Sequence, residues 1–374
     1  MRKDFTSMTR AERRRYVTTV RRVTTEPQFR NEYRQLIDLH QRIFRTGIHQ
    51  RDMFLPWHRW YILRYENLLR RADCRVTLPY WDWSLFSMTP WRTDRTRIWF
   101  GGSSGLGGNG GRGGCVRNGP FRGHRKTNGQ CLRRRFNGLP PDIIAVYLTQ
   151  LRQPAGFNTF ELNLRVNLHD TVHCRVGGDM CTVTAANAPE FFLHHGFIDK
   201  IWANWQEYSD AHMRVHFSGV NQIMTGTRIY RPGQFIDNVA MPDIRFPRNL
   251  ERRTCVLYEN PTHREYNEIL QRLEGMTPQQ IRAVPRHSFA PLNNRQMRRF
   301  AVNRQDRRQA RRNLLRDLEP RNELTGTAGL TGMDRNTGFR LSSLPVNNRK
   351  KRSVLRRKEN SMRDRWTAKN NKQK

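Results

Sequence analysis

No stretch of the 374-residue chain approaches the eighteen or more consecutive apolar residues of a transmembrane helix, which excludes a helical membrane span. Carboxylates are few: 32 Asp and Glu stand against 68 Lys and Arg, a formal net charge of +36. Such a field favours polyanions, among which an acidic matrix polymer is the candidate partner. The cations lack interleaved stacking aromatics and no nucleic-acid-binding fold is legible, so sequence-specific recognition of nucleic acid is not expected. Lysine is rare as well, nine residues against 59 arginines. The six cysteines, Cys74, Cys115, Cys131, Cys174, Cys181 and Cys255, lack metal-ligand spacing. They allow three disulfides in any of fifteen connectivities and point to an oxidising, secretory route. The opening residues, MRKDFTSMTRAERRRYV, are too charged for a signal peptide, so the secreted reading takes the leader to be removed or the chain to be a fragment.

What is present is two histidine triplets: His40, His49 and His58, then His169, His173 and His195. Each can form a three-imidazole metal site, and neither brings an obligatory carboxylate or thiolate. At about 100° per residue, a nine-residue step along one helix carries His49 to the far side from His40, so the chain must break between them. Gly47 can end a helix carrying His40, and Pro56 can open the next, leaving His58 in its first turn. The second triplet is tighter. His169 and His173, four apart, project from one helix face. Gly177 and Gly178 stop that helix, and Pro189 opens another with His194 and His195 adjacent. His195 is chosen because it shares a face with Phe191, Asp199 and Trp202. The other histidines, His124, His212, His216, His263 and His287, read as surface residues.

Ligand type selects the metal. Hard cations prefer oxygen donors, whereas all-imidazole sites suit copper or zinc. Two open three-coordinate sites face to face favour two copper ions, which add redox chemistry that zinc lacks.

The run HQRDMFLPWHRWYILRYE, from His49 to Glu66, closely resembles the copper A signature of tyrosinases and catechol oxidases. APEFFLHHGFID resembles their copper B signature, and VHCRVGGDM and LPYWDWS also fit that family, most like its secreted invertebrate members. The resemblance spans roughly residues 1 to 260. It implies a mainly α fold in which a four-helix bundle holds a dinuclear type 3 copper site amid loop-rich surroundings. His40, His49 and His58 would hold one copper, and His169, His173 and His195 the other. The implied reaction is oxidation of catechols to o-quinones with dioxygen, with ortho-hydroxylation of monophenols as an addition. Glu161, eight residues before His169, matches a glutamate that orders a water for phenol deprotonation, and Phe191 is placed against the second copper or the substrate ring. Arg59 and Asp199 are expected to pair across the bundle. A haemocyanin-like dioxygen carrier would use the same six histidines, and a structural matrix protein with a degenerate copper site is the other alternative.

Three departures from the family pattern stand out. Asp170 follows His169 where strong monophenol hydroxylases often carry Asn, and it is kept as a candidate catalytic residue. Ala188 replaces the usual Asp before Pro189, with Asn187 as a substitute helix cap. Gly47 stands where some relatives carry a cysteine crosslinked to a ligand histidine. Along the chain, Gly101 to Gly114 reads as a flexible surface insertion between the two copper-binding halves of the 1–260 copper domain. An Arg-rich, partly helical extension, 261–346, has thin apolar stripes, so its helices are expected to dock weakly or form only with a partner. A basic tail, 347–374, reads as disordered and carries RKKR at Arg349 to Arg352, a dibasic processing pattern.

Overall fold

A computed structural model describes residues 1–45, 48–49, 51–150, 156–206, 256–260, 292–300 and 303–318, with residues 222–223, 229–230, 268, 271 and 289. Gly47, four of the five histidines read as surface residues, Cys255 and the RKKR segment lie outside the described residues.

The architecture is mainly helical. Helix α1 (Arg10–Thr25) starts at a capping box in which Thr9 and Glu12 satisfy each other's backbone donors. Helix α2 (Pro27–Ile43) opens on a proline and carries His40 on its buried face beside Tyr33, Leu36 and Ile37. Helix α3 spans Arg51–Ala72, so it begins before Pro56 rather than at it, and His58 lies in its second turn. Pro56 is therefore an interior residue, past the partnerless donors of the first turn, and its missing N–H gives up one backbone bond of the helix. After a long irregular segment come α4 (Ile143–Gln150), α5 (Phe157–Asn163) and a π-helical stretch, Leu164–His169, that runs into α6 (Asp170–Val176). Such π turns tend to occur at functional sites. Helix α7 (Pro189–Gln206) opens on its proline as the sequence predicts and is buried on nearly every side. Gln222–Ile223 and Ile229–Tyr230 pair as an antiparallel ladder, β1 with β2.

Helices α2, α3, α7 and the α5–α6 stretch surround the site. Between them, aromatic rings fill the core: Tyr65 stacks on Phe192 at 3.5 Å, and Trp57 on Tyr61 at 4.7 Å between ring centres. Such buried aromatics each cost about 3–5 kcal/mol to truncate. A buried charge network locks the bundle at one end. Arg59 and Arg2 both meet Asp199, Arg2 also binds Glu66 at 2.7 Å, and Tyr258 donates to Asp199. The expected Arg59 and Asp199 pair is thus present, and it ties residues near 258 back to the chain start.

Two expectations are corrected. The glycine-rich segment is not a flexible surface insertion. Its Leu106 is fully buried, and the Arg134 side chain collects the carbonyls of Leu106, Gly107 and Gly108 at 2.8 to 3.2 Å while making a bidentate pair with Glu190. One buried guanidinium thus replaces the water that would otherwise solvate those carbonyls. Gly107 adopts φ +81, and a Cβ there would sit 2.3 Å from the Asn118 carbonyl oxygen, so the packing itself requires glycine. The extension also docks more firmly than thin apolar stripes imply. Helices α8 (Asn294–Arg299) and α9 (Arg304–Leu318) pack on the α5–α6 side through Met297, Phe300 and Ala310, aided by a buried ion pair between Asp306 and Arg165 at 2.9 Å.

Two disulfides form among the described residues, Cys115–Cys131 and Cys174–Cys181. Cys74 is free and exposed. His124 is half-buried rather than on the surface, and burial pushes its imidazole down to about 4.

Candidate metal centre

His40 comes from α2, His49 from the loop after it, and His58 from α3, so two helices and a loop supply the first triplet. Their ring centres lie 5.0 to 5.7 Å apart. His169 and His173 come from the π-helical stretch and α6, and His195 from α7, with ring centres 4.4 to 5.5 Å apart. The two groups touch: His58 stacks on His195 at 4.4 Å, nearly parallel. Within each cluster, candidate ligand atoms lie within 4.8 Å of one another, the second cluster also including His194.

Hydrogen bonds fix which nitrogen four of the six rings present. Nδ1 of His49 lies 3.0 Å from the Phe44 carbonyl oxygen, Nδ1 of His58 2.8 Å from that of Phe54, and Nδ1 of His173 2.7 Å from that of Met180. A carbonyl only accepts, so each Nδ1 carries the hydrogen and each Nε2 keeps its lone pair. Nδ1 of His169 donates to the Asp170 carboxylate at 2.8 Å. The Nε2 atoms of His169 and His173 then lie 3.2 and 3.4 Å from that of His195. Burial pushes His49 to about 4 and His173 to about 3, and the other four candidate ligands well below the usual range, so all six rings are neutral donors. Both ring nitrogens of His40 and Nε2 of His58 are buried without a hydrogen-bond partner. Unsatisfied buried nitrogens in a convergent, all-imidazole set fit a bound soft-to-borderline cation, copper or zinc, and would be costly otherwise.

His194 differs. The indole N–H of Trp83 donates to its Nδ1 at 3.1 Å, which leaves the hydrogen on Nε2. A protonated Nε2 offers no lone pair, which disfavours His194 as a ligand in this arrangement, while both neighbours lie in the cluster.

The remaining predicted residues have mixed placements. Asp170 is buried against His169, and desolvation pushes its carboxyl up to about 8, against the pull of Arg165. Glu161 is fully buried and paired with Arg165 at 2.5 Å, so it is no solvated helix-face carboxylate. Phe191 is wedged between the groups, 4.9 Å from His40 and 4.2 Å from His195. Asn187 does not cap α7. Its side chain accepts from the Thr127 backbone and donates to the Thr184 carbonyl.

Two aromatics were missed in the sequence. Phe54 packs on His58 and His169 at 5.0 and 4.7 Å, a role signalled only by its place one turn before His58. Phe300, from the extension, stacks on His173 at 4.7 Å and lies 6.4 Å from His49. It covers the centre from the α8 side, and no local sequence signal marks it.

The family model for the common central domain of tyrosinase matches residues 30–208. A tyrosinase of Streptomyces lincolnensis is 36% identical over 260 residues, covering 62% of this chain and 92% of that protein. One from Streptomyces antibioticus is 35% identical over 237 residues, 55% of this chain and 82% of that protein. A tyrosinase-like protein of Caenorhabditis elegans is 31% identical over 227 residues, 55% of this chain and 31% of that protein. Among solved structures, a polyphenol oxidase from Thermothelomyces thermophila aligns with TM-score 0.45 and 23% identity over 55% of this chain and 70% of that one.

Proposed function

The chain belongs to the tyrosinase family of type 3 copper proteins, and on that premise we propose that it is a copper-dependent phenol oxidase, converting catechols to o-quinones with dioxygen. One observation carries the reading: two adjoining sets of neutral imidazoles, all buried but the half-buried His49, one set with three Nε2 atoms close together. His40, His49 and His58 would hold one copper, and His169, His173 and His195 the other. Bound there, the pair would supply the two-electron exchange with dioxygen that no side chain provides. Two catechols each lose two electrons and two protons, and one dioxygen takes up all four of each to give two waters.

The chain's own residues prepare that chemistry. Backbone carbonyls and Asp170 hold four of the rings in the Nδ1–H tautomer, and Phe54 and Phe191 exclude water between the triplets. Glu161 is the proposed element that orders a water to receive the proton of a monophenol. Residues 1–260 are proposed as the copper domain, 261–346 as the extension and 347–374 as a basic tail. The two disulfides support secretion. The exposed Arg304, Arg308, Arg311 and Arg312 on α9 support binding to an acidic polymer.

A second reading, a haemocyanin-like dioxygen carrier, is favoured by Phe300, whose cover over His173 admits dioxygen more readily than a phenol ring. Copper analysis combined with oxygen uptake on catechol and on tyrosine tests both. Two coppers per chain with sustained uptake on catechol support the oxidase. Reversible oxygen binding without turnover supports the carrier, and a chain that binds no copper refutes both.

A further inference from the structure

The histidines draw their Nδ1 acceptors from different sources. His49 and His58 use carbonyls five and four residues upstream, those of Phe44 and Phe54, and His169 uses the carboxylate of the next residue. His173 instead uses the carbonyl of Met180, seven residues downstream and beyond the end of its own helix. Between them the chain reverses at Gly177 (φ +63) and Gly178 (φ +59), where a Cβ on Gly178 would fall 2.2 Å from the Arg133 carbonyl oxygen. Glycines of this kind permit a turn but do not hold one. Cys174–Cys181, whose cysteines directly follow the ligand and its acceptor, closes it covalently, and Asp179 within the loop adds polar ties to Lys126 and the Arg133 backbone.

The same bridge has a second face. Both sulfurs belong to an apolar cluster with Phe44, Leu292, Met297 and Phe300, and they lie 3.8 and 4.0 Å from the Gln296 carbonyl oxygen. The Gln296 amide donates to Asn137 at 2.9 Å, and Asn137 in turn donates to the Cys174 carbonyl at 2.7 Å. The 292–300 segment therefore sits on the bridge and delivers Phe300 onto His173.

We infer that the Cys174–Cys181 disulfide is a positioning element that couples the His173 imidazole to the 292–300 segment, so that one covalent bond sets both the aim of a metal ligand and the seating of Phe300 over it. Opening the bridge frees the Met180 carbonyl from the Nδ1 hydrogen and removes the floor beneath Met297 and Phe300. His173 then loses its fixed tautomer, and the other triplet, whose Nδ1 acceptors at Phe44 and Phe54 lie outside this loop, keeps its own. The inference rests on the dinuclear copper reading for its metal consequence, whereas the seating of 292–300 is independent of metal.

The test compares the full-length protein with Cys174→Ser/Cys181→Ser and, as a control for loss of any disulfide, with Cys115→Ser/Cys131→Ser. Copper per chain is measured after dialysis against a chelator, with electron paramagnetic resonance to detect a lone cupric ion. Tryptic cleavage within 295–312 is timed on metal-free protein. The expected result is a fall from two coppers to one and at least tenfold faster cleavage in the first variant, with neither change in the control. Unchanged copper or unchanged protection in that variant overturns the inference, as does equal loss in the control. A parent that binds no copper overturns the dinuclear reading along with it, whereas two coppers in both parent and variant overturn this inference alone. Should the serine pair fail to fold, the folded Cys115→Ser/Cys131→Ser protein, compared before and after reduction with dithiothreitol and anaerobic desalting ahead of copper loading, gives the same comparison, because it keeps Cys174–Cys181 and lacks the other bridge seen among the described residues.

Discussion

Replacing Phe300 with alanine tests whether the cover over the metal centre limits access. The ring is buried, stacked on His173 at 4.7 Å and edge-on to Phe44 at 5.6 Å. If roughly 80 Å² of its surface is covered by those neighbours, its seating is worth about 2 kcal/mol at ~25 cal/mol per Å². A catechol that must displace the ring then meets an open form populated about one part in thirty, and its apparent affinity falls by the same factor. In Phe300→Ala the segment stays docked, because Asp306 still binds Arg165 and Gln296 still binds Asn137. The expected outcome is a KM for catechol about thirtyfold lower, read by oxygen uptake, with copper content unchanged. A KM within twofold of the parent, in a folded protein with both coppers, would refute the reasoning.

Other residues give separate predictions. Arg134→Met strands Glu190 as an unpaired buried charge and should cost about 3–5 kcal/mol in denaturant unfolding, while a loss below about 1 kcal/mol would contradict the assigned role of the pair. His195→Asn should remove one copper per chain. His194→Asn should remove none, and the reverse pattern would overturn the tautomer argument built on Trp83. Burial raises the Asp82 carboxyl to about 7 from 3.8, so the native state binds the proton more tightly than the unfolded chain. Stability should therefore fall as pH rises from about 4 to 7, by on the order of 4 kcal/mol for this group. Asp82→Asn can retain the Oδ1 bonds from Ser84 and Leu85 and should flatten that slope; an unaltered profile would count against it.

Much of the centre was legible along the chain because helix periodicity and punctuation are local. The four-residue step from His169 to His173, Gly177 at the end of α6 and Pro189 at the start of α7 each act through neighbouring backbone, and the structure follows them. Local rules failed where distant partners intervened. Gly101 to Gly114 has the composition of a flexible linker, yet Arg134, more than twenty residues on, supplies donors for its carbonyls. Helix α9 has a thin apolar stripe, yet Asp306 finds Arg165 across 141 residues.

The sequence by itself determined the donor chemistry: imidazoles in two triplets, spaced for helices and a loop, with no thiolate or carboxylate to attract another metal class. Only the tertiary structure decided which nitrogen four of the ligand rings present, what occupies Nδ1 of His194, which cysteines pair among the described residues and what lies over His173. A tautomer or a buried contact depends on partners brought from far along the chain, such as Trp83, 111 residues from His194, and no local pattern encodes their approach.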